Sequence, residues 1–249
     1  MQHNVIDFPT LTVACQTCAW AVGCVGAGKQ QCAAEAVDLR YSVPVKKNEH
    51  VFRQGDPLDY LYMMRSGSAK SSFVTADGLE QIVAFHYPGD LLGFDAIADG
   101  VHETSVIALE TMALCRVPFH SLGDRSRPFA PIWTEIMRGG ARQIKGNNDY
   151  ALLLGQKSAA ARIATLLLDL SDRFASRGCS RVDFNLTMAR QDIANYLSLA
   201  VETVSRLFAE LQANGIIEVD RRYVRIKSME KLRRLAFDSA DMSRHAAQA

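Results

Sequence analysis

The periodicity of the sequence changes near Pro131, and this change limits the possible folds more than any single motif. Up to about residue 119, apolar runs of about six to ten residues alternate with turn signals such as GDP at 55–57 and PGD at 88–90, a spacing typical of an antiparallel roll or barrel. Between SSFVT and QIVAF, the tripeptide ADG predicts a hairpin turn, because Gly78 can take a positive φ.

Beyond Pro131, the segment IWTEIMRGGARQIKGNNDYALLLGQ has helical periodicity and contains no proline. A helix of about 25 residues is long for a globular protein, which favours pairing with a second copy. Packing of the helix on its own roll is the alternative. The apolar stripe predicted to form the dimer interface consists of Ile132, Ile136, Ile144, Ala151 and Leu154.

The end of the chain predicts two short helices followed by a hairpin. Thr187 is expected to cap a helix that runs to about Leu197, and a turn with the sequence SLA leads into a second helix from Val201 to about Asn214, stopped by Gly215. The sequence IIEVDRRYVRIKS then reads as a β-hairpin. Its basic residues are Arg221, Arg222, Arg225 and Lys227. This arrangement predicts a winged helix-turn-helix.

The second of these helices has one apolar and one polar face. The residues expected to face inward at helical spacing are Val204, Leu207, Phe208 and Leu211. Glu202, Ser205 and Arg206 therefore share the outward face of the first two turns. An arginine fork matches guanine O6 and N7, and Glu202 can accept from cytosine or hold Arg206 in place. An ordinary exposed Glu–Arg pair is the alternative, but the surrounding winged helix-turn-helix favours DNA reading.

Four of the six cysteines are concentrated in a Gly- and Ala-rich arm near the start of the chain: Cys15, Cys18, Cys24 and Cys32. The spacing C-x2-C-x5-C lets three thiolates surround one centre, with a fourth ligand from the body of the protein. Both zinc and a [4Fe–4S] cluster accept four cysteines. The sequence MALCRVPF around Cys115 is strand-like, and a buried core thiol is the alternative for that residue.

An export signal or a disulfide staple would account less well for the cysteine arm. LTVAC resembles a lipoprotein cleavage box, but the residues before it include no lysine or arginine and do include Asp7 and Pro9, so an export signal is rejected. No apolar stretch approaches the roughly 20 residues of a spanning helix, so we expect a cytoplasmic protein with no membrane partner. Thiols stay reduced in that compartment, which favours metal or redox chemistry over a staple.

An enzymatic function has little support in the sequence. A roll can host a metal oxygenase that uses clustered histidines, and His50, His86 and His102 are available. They do not form an H-x-H pair with a closely following glutamate, so a facial triad is not expected. We therefore expect a binding protein and not an enzyme. The net charge is +1 and the C-terminal part is mildly basic, so the chain is not a general polycation.

Over nearly its whole length the chain resembles the CRP/FNR superfamily, specifically its FNR branch of oxygen-sensing transcription factors. The resemblance rests on four motifs that occur in the family's order: C-x2-C-x5-C, PGDLLGFDAI, LCRVPF and VETVSR. By that resemblance Cys15, Cys18, Cys24 and Cys115 would hold a [4Fe–4S] cluster. The base readers would be Glu202, Ser205 and Arg206, and the long helix would be the dimerisation helix. Cys32 and Cys179 would be spare.

The resemblance implies an α+β fold: an N-terminal antiparallel β-roll of the jelly-roll type, similar to a cyclic-nucleotide-binding domain, then a long dimerisation helix and a C-terminal winged helix-turn-helix. Four segments are expected: a cysteine-rich cluster-binding arm at 1–32, a β-roll sensor domain at 33–127, the dimerisation helix at 128–157 and the DNA-binding domain at 158–249.

In the absence of oxygen, members of the branch hold the cluster and form a homodimer. The dimer binds a double-stranded palindrome of the type TTGAT-N4-ATCAA and acts on RNA polymerase. Oxygen converts the cluster, and the dimer is lost. A same-fold regulator that uses zinc, thiol redox chemistry or a small organic effector is the alternative. No cyclic nucleotide is expected, because Glu103-Thr104-Ser105 stands where the nucleotide-binding branch has an Arg-Ser pair.

Overall fold

The computed structural model describes residues 40–41, 44–120 and 130–237, with residues 40–41 and 130–135 described by their backbone. The chain divides into two compact units, Met1–Gln143 and Ile144–Ala249. None of the helices in these described ranges combines the length and the apolar character that crossing a bilayer requires. The boundary between the two units lies inside the long helix, about 12 residues after the change in periodicity near Pro131.

The first unit is an antiparallel roll of two four-stranded sheets. Its strands are β1 (Arg40–Tyr41), β2 (His50–Phe52), β3 (Tyr60–Ser66), β4 (Ala69–Val74), β5 (Glu80–His86), β6 (Leu91–Leu92), β7 (Ser105–Ala108) and β8 (Ala113–Pro118). The strand orders are β1-β8-β3-β6 in one sheet and β2-β7-β4-β5 in the other. Gly78 has a φ of +85° in the turn between β4 and β5, so the predicted hairpin is confirmed.

Side chains along β3 alternate between two apolar clusters, as the pleat of a strand requires. Met64 lies in the cluster between the two sheets, which also contains Phe52 of β2 and Leu114 of β8. Leu61 and Met63 point to the opposite face of the β1-β8-β3-β6 sheet. That outer cluster is completed by Val117 of β8 and by Ile136, which belongs to a helix.

This helix, α1 (Ala130–Gln156), spans 27 residues, as predicted. The prediction for Ile136 is wrong in one respect: its side chain is only 3% exposed and packs on the roll, so it does not lie on an open face of the helix. A Cβ on Gly139 would lie 3.0 Å from two ring atoms of Phe94, which lies in a short 3-10 turn after β6. The glycine thus lets the helix approach that ring.

The second unit is a winged helix-turn-helix, as predicted. Its elements are α2 (Ala159–Ala175), β9 (Asp183–Asn185), α3 (Arg190–Leu197), α4 (Val201–Ala213), β10 (Ile217–Asp220), β11 (Tyr223–Ile226) and α5 (Met229–Phe237). The three strands form an antiparallel sheet in the order β10-β11-β9. Gly215, with a φ of +64°, follows the end of α4, where a left-handed residue is commonly found.

The predicted cap at Thr187 is wrong, because α3 begins at Arg190. The N-cap residue is Ala189, whose side chain cannot accept a hydrogen bond. Its backbone N–H donates to Asp192 Oδ2 at 2.9 Å, which is the half of a capping box that the third helical residue supplies. The Thr187 hydroxyl is buried and has no hydrogen-bond partner among the described residues.

Two glycines in turns of the roll provide a matched test of the fold: Gly67 joins β3 of one sheet to β4 of the other, and Gly78 lies in the hairpin of β4 and β5. Gly67 and Gly78 have similar φ values, +81° and +85°, so alanine is strained at either position by about 1–2 kcal/mol. A Cβ on Gly67 would also lie 2.5 Å from Met112 Cβ, whereas one on Gly78 meets nothing within 4 Å. In urea unfolding, Gly67→Ala should therefore cost at least about 1 kcal/mol more than Gly78→Ala. Equal losses would contradict the close approach at Gly67.

Candidate functional site

Helix α4 presents the polar face that the sequence predicts. Val204, Phe208 and Leu211 are buried and Leu207 is partly buried, which fixes the rotation of the helix on the core of its unit. The chain enters α4 through a turn in which Ser198 takes a left-handed φ of +52° and Ala200 is extended. The two helices are therefore joined by a turn of three residues, 198–200.

Glu202, Ser205 and Arg206 are all exposed on the outer face of α4. Arg206 faces Glu210, not Glu202: its Nε lies 3.7 Å from Glu210 Oε1, one turn towards the C-terminus. The alternative of a Glu202–Arg206 pair is therefore not what the structure has. Both side chains are more than half exposed, and such pairs contribute little to stability. The guanidinium can leave Glu210 at small cost to contact a base edge. Glu202 lies in the first turn of α4, where a negative charge is favourable.

Arg190 is a residue of this site that the sequence pattern did not identify. It is the first residue of α3, and its guanidinium carbon lies 3.7 Å from the centroid of the Phe208 ring of α4. Burial lowers the pKa of this guanidinium, which remains charged at neutral pH. The cation–π contact links the first helix to the second. An arginine at a helix start has no distinctive spacing, so only the fold brings it to Phe208.

The basic residues of the wing, the hairpin of β10 and β11, differ in how far their charge is neutralised. Arg225 Nε donates to Asp183 Oδ1 of β9 at 2.6 Å, and the same oxygen accepts from the Tyr223 hydroxyl. The hydrogen bond from Arg225, followed by that from Tyr223, holds the pKa of Asp183 below its ordinary value. Lys227 Nζ lies 3.1 Å from Glu218 Oε2. Two of the four predicted cations thus already face a carboxylate.

The other two cations lie at the turn of the wing, between β10 and β11. Arg222 Nη1 donates to the backbone carbonyl of Thr187 at 3.2 Å, which ties the turn to the segment before α3. Arg221 takes a φ of +54° and is exposed, and within the described part of the chain its side chain makes no hydrogen bond or ion pair. Arg221 is the cation of the wing most available to a phosphate.

Cys115, the predicted ligand in the body of the protein, lies on β8 and is partly buried. Its side chain packs against the outer cluster of the roll, the same cluster that contains Ile136 of α1. Across the sheet, Cys115 is opposite Met63 of β3 on one side and Tyr41 of β1 on the other. Cys15, Cys18, Cys24 and Cys32 lie outside the described residues, and Cys179 is exposed after α2.

The predicted dimer interface is exposed over part of its length. Ile144 is 65% exposed, Ala151 is exposed, and Leu154 is partly buried; the side chain of Ile132 lies outside the described residues. Met137 is 60% exposed and precedes Ile144 and Ala151 at heptad spacing. An open apolar stripe therefore begins at Met137 instead of Ile136.

The turn of the roll that follows β6 is closed by a carboxylate. Asp95 Oδ2 accepts hydrogen bonds from the backbone N–H and the hydroxyl of Thr104, and Asp95 Oδ1 lies 3.3 Å from Nδ1 of the buried His102. Burial acts to raise the pKa of Asp95, but the hydrogen bonds from His102 and Thr104 outweigh it and lower the pKa. The carboxylate is thus ionised at neutral pH, which disfavours a phosphate beside Thr104.

The three histidines available for an oxygenase site contact different groups. His50 Nε2 lies 2.8 Å from Arg53 Nη1, His86 contacts the Ser71 hydroxyl, and the His102 ring stacks on Phe52. In the ranges that the structure describes, no group of three or more His, Cys, Asp or Glu side chains is arranged to hold a metal ion.

Comparison with protein-family models gives two matches. Residues 42–124 match a model described as cyclic nucleotide-binding domain, and residues 161–235 match one described as Crp-like helix-turn-helix domain. The fumarate and nitrate reduction regulatory proteins of Salmonella typhi and Escherichia coli (strain K12) are each 41% identical to this chain over 224 residues, which is 89% of this chain and 90% of theirs.

Solved structures with similar folds include FixK2 from Bradyrhizobium japonicum, with a TM-score of 0.72 and 28% identity over 81% of this chain and 99% of that one. A CRP-family transcriptional regulator from Thermus thermophilus has a TM-score of 0.65 and 21% identity over 80% of this chain and 98% of that one, a likeness of fold alone.

Replacing Arg206 with alanine should weaken binding to the preferred duplex by about 1–3 kcal/mol and relax the preference for guanine, because the bidentate fork is lost. Fluorescence anisotropy with duplexes changed at single G·C pairs measures both effects. Arg234→Ala is the matched control: Arg234 is an exposed helical arginine on α5, paired with Glu230 four residues earlier. If Arg206→Ala kept its base preference, α4 would not be the reading helix.

Replacing Arg221 with alanine should lower the slope of log K against log salt by about one unit, because one phosphate contact is lost. The double variant Asp183→Asn/Arg225→Gln removes a pair whose charges cancel, so it should leave that slope unchanged. Titrations over a range of salt concentrations give the slopes. A larger loss of slope in the double variant would show that Arg225, not Arg221, meets the phosphate.

Proposed function

Because the chain belongs to the CRP/FNR family of transcription regulators and is an FNR-type member of it, we propose that it controls transcription in response to oxygen through a [4Fe–4S] cluster. Its relatives are regulators and not enzymes, and regulators of this family bind DNA as homodimers. The cluster, the oxygen response and the DNA sequence that is read are the proposed part.

The observation that carries the proposal is the position of Cys115. The Cys115 side chain packs against the outer cluster of the roll, which also buries Ile136 of α1. The strand paired beside it, β1, is where the chain from the cysteine arm enters the sheet, with Tyr41 opposite Cys115. About 16 residues separate Cys24 from Arg40, enough for a reach of about 50 Å, so chain length does not prevent the arm from returning to Cys115.

The described surroundings of Cys115 fit a cysteine-ligated cluster. Its neighbours in the outer cluster include Leu61, Val117 and Ile136, which present no competing ligand. We assign Cys15, Cys18, Cys24 and Cys115 as the four thiolates. When bound, a [4Fe–4S] centre supplies reactivity towards oxygen. The apolar side chains around Cys115 limit the access of water to its sulfur.

Cluster ligation is proposed to act on dimerisation through α1. Cys115 and Ile136 contribute to the same apolar cluster, so a change in the environment of the thiol changes the packing of α1 near its start. The stripe of Met137, Ile144 and Ala151 would meet the same stripe of a second copy. A change of a few kcal/mol is enough to convert a mostly dimeric population into a mostly monomeric one.

The proposed DNA target is a palindrome, because a two-fold symmetric dimer presents two copies of α4 to two half-sites. Its sequence, of the type TTGAT-N4-ATCAA, is the one that the resemblance to the FNR branch implies. Glu202, Ser205 and Arg206 would contact base edges and Arg221 a phosphate. We propose that the protein acts in the cytoplasm, where it would meet DNA and RNA polymerase. Cyclic nucleotide is not a proposed ligand, since the ionised Asp95 bonds to Thr104 beside the turn.

The decisive experiment purifies the full chain without oxygen and records its absorption spectrum with iron and sulfide counts, before and after air. A broad thiolate-to-iron band with about four irons per chain, fading in air together with the dimer, is the expected result. A colourless protein that contains zinc would support the alternative, a regulator of the same fold with zinc or thiol chemistry. A colourless, metal-free protein that binds DNA equally well in air would contradict oxygen sensing.

Substitution of single cysteines tests the ligand set. Cys115→Ser and Cys24→Ser should each abolish the band and the anaerobic dimer, because each removes one of the four proposed thiolate ligands. Cys179→Ser and Cys32→Ser are the matched controls and should keep the iron content of the wild type. Iron retained in Cys115→Ser, with an unchanged spectrum, would remove Cys115 from the ligand set.

A further inference from the structure

One guanidinium joins three separate segments of the second unit. Arg162 of α2 donates from Nη2 to the carbonyl of Leu154 at 2.8 Å, from Nη1 to that of Leu197 at 2.8 Å and from Nε to that of Lys157 at 3.0 Å. Leu154 lies in the last turn of α1 and Leu197 is the last residue of α3. The side chain therefore connects the end of the long helix to the end of the first helix of the helix-turn-helix.

The choice of arginine here has a physical reason. The last four carbonyls of a helix lack partners within the helix, and they carry the negative end of its dipole. A planar guanidinium has five N–H donors in fixed directions and is always charged, so it can satisfy carbonyls of two helix ends at once. A lysine has one nitrogen at its tip and cannot bond the carbonyls of two separate helix ends in this way.

A second connection lies one turn earlier on α1. The Tyr150 hydroxyl donates to the carbonyl of Tyr196 at 2.8 Å, and the two rings stack with centroids 4.8 Å apart and planes at 22°. Lys157, just after α1, donates to Thr165 Oγ1 and to the carbonyl of Ala236 in α5. The C-terminal turns of α1 are thus bonded to the body of the DNA-binding unit at several points.

The bonds from Arg162 and Tyr150 reach the end of α3, which lies directly before α4. Tyr196 and Leu197 form the end of α3, and only residues 198–200 separate Leu197 from Val201, the first residue of α4. Because so short a turn leaves little freedom, fixing the end of α3 fixes the start of α4. We infer that Arg162 and Tyr150 are positioning residues that hold the recognition helix at a set place relative to the C-terminal turns of α1.

This inference rests on the proposed function, in which two copies of α1 pair. The two recognition helices of such a dimer are then related by the pairing of α1 and by the Arg162 and Tyr150 bonds. One extra base pair between half-sites rotates one half-site by about 34° relative to the other. A firmly held pair of recognition helices discriminates against the wrong spacing, and a loosened pair discriminates less.

The test uses the full chain, purified without oxygen, in three forms: wild type, Tyr150→Phe and Arg162→Lys. Tyr150→Phe keeps the ring stack and removes only the hydroxyl. Affinities are measured by anisotropy for palindromes with spacers of four and five base pairs, and the dimer constant by sedimentation. We expect each variant to bind the four-base-pair palindrome about two- to tenfold more weakly, with a smaller loss on the five-base-pair one, so that the ratio of the two affinities falls.

The control for Arg162→Lys is Arg234→Lys, on α5, where the exposed arginine bonds Glu230 four residues earlier; its spacer ratio should equal that of wild type. If the two residues had a purely structural role, the variants would lose affinity for the four- and five-base-pair palindromes in parallel and would relax base preference within a half-site. A ratio of the two affinities equal to that of wild type, in both variants, overturns the inference. A wild-type protein that binds neither palindrome would instead overturn the proposed function, and the inference with it.

Discussion

The burial of Ile136 on the outer face of the roll is the contact on which the other roles of α1 depend. It turns Met137 away from the roll, because the next residue along a helix lies about 100° away. Ile144 and Ala151 are exposed and follow Met137 at heptad spacing on the same helix. A helix that packs on its own roll and also offers a seam to a second copy therefore needs two apolar faces. On sequence alone these two roles are alternatives, but the same helix can satisfy both with different residues.

The DNA-binding unit shows why net charge is a poor guide to nucleic-acid binding. The chain carries only +1, and Arg225 and Lys227 of the wing already face Asp183 and Glu218. Arg221, at the tip of the wing, is the cation left to meet a phosphate. The paired arginine instead joins β11 to β9, so the same hairpin divides its charges between holding its shape and meeting DNA.

Local patterns predicted the helix-turn-helix, the wing and the hairpin at Gly78, because each depends on neighbours within a few residues. The errors involve longer-range choices. Whether Ile136 or Met137 faces the roll depends on packing against β3 and β8, and Asp183 lies 42 residues before Arg225. The cap at Thr187 failed for a different reason: the helix begins two residues after the expected position, at an alanine N-cap that has no capping side chain, and the signal at its start is Asp192 in the first turn.

The apolar cluster that buries Ile136 is fixed at one edge by hydrogen bonds. Phe94, against which Gly139 packs, belongs to the same outer cluster as Cys115 and Ile136. It lies in a turn where the neighbouring Asp95 bonds Thr104 twice and contacts His102. Packed protein interiors have low compressibility and transmit strain. Under the proposed function, loss of an iron–sulfur cluster at Cys115 would therefore reach both contacts of α1, at Ile136 and at Gly139, through one packed group of side chains.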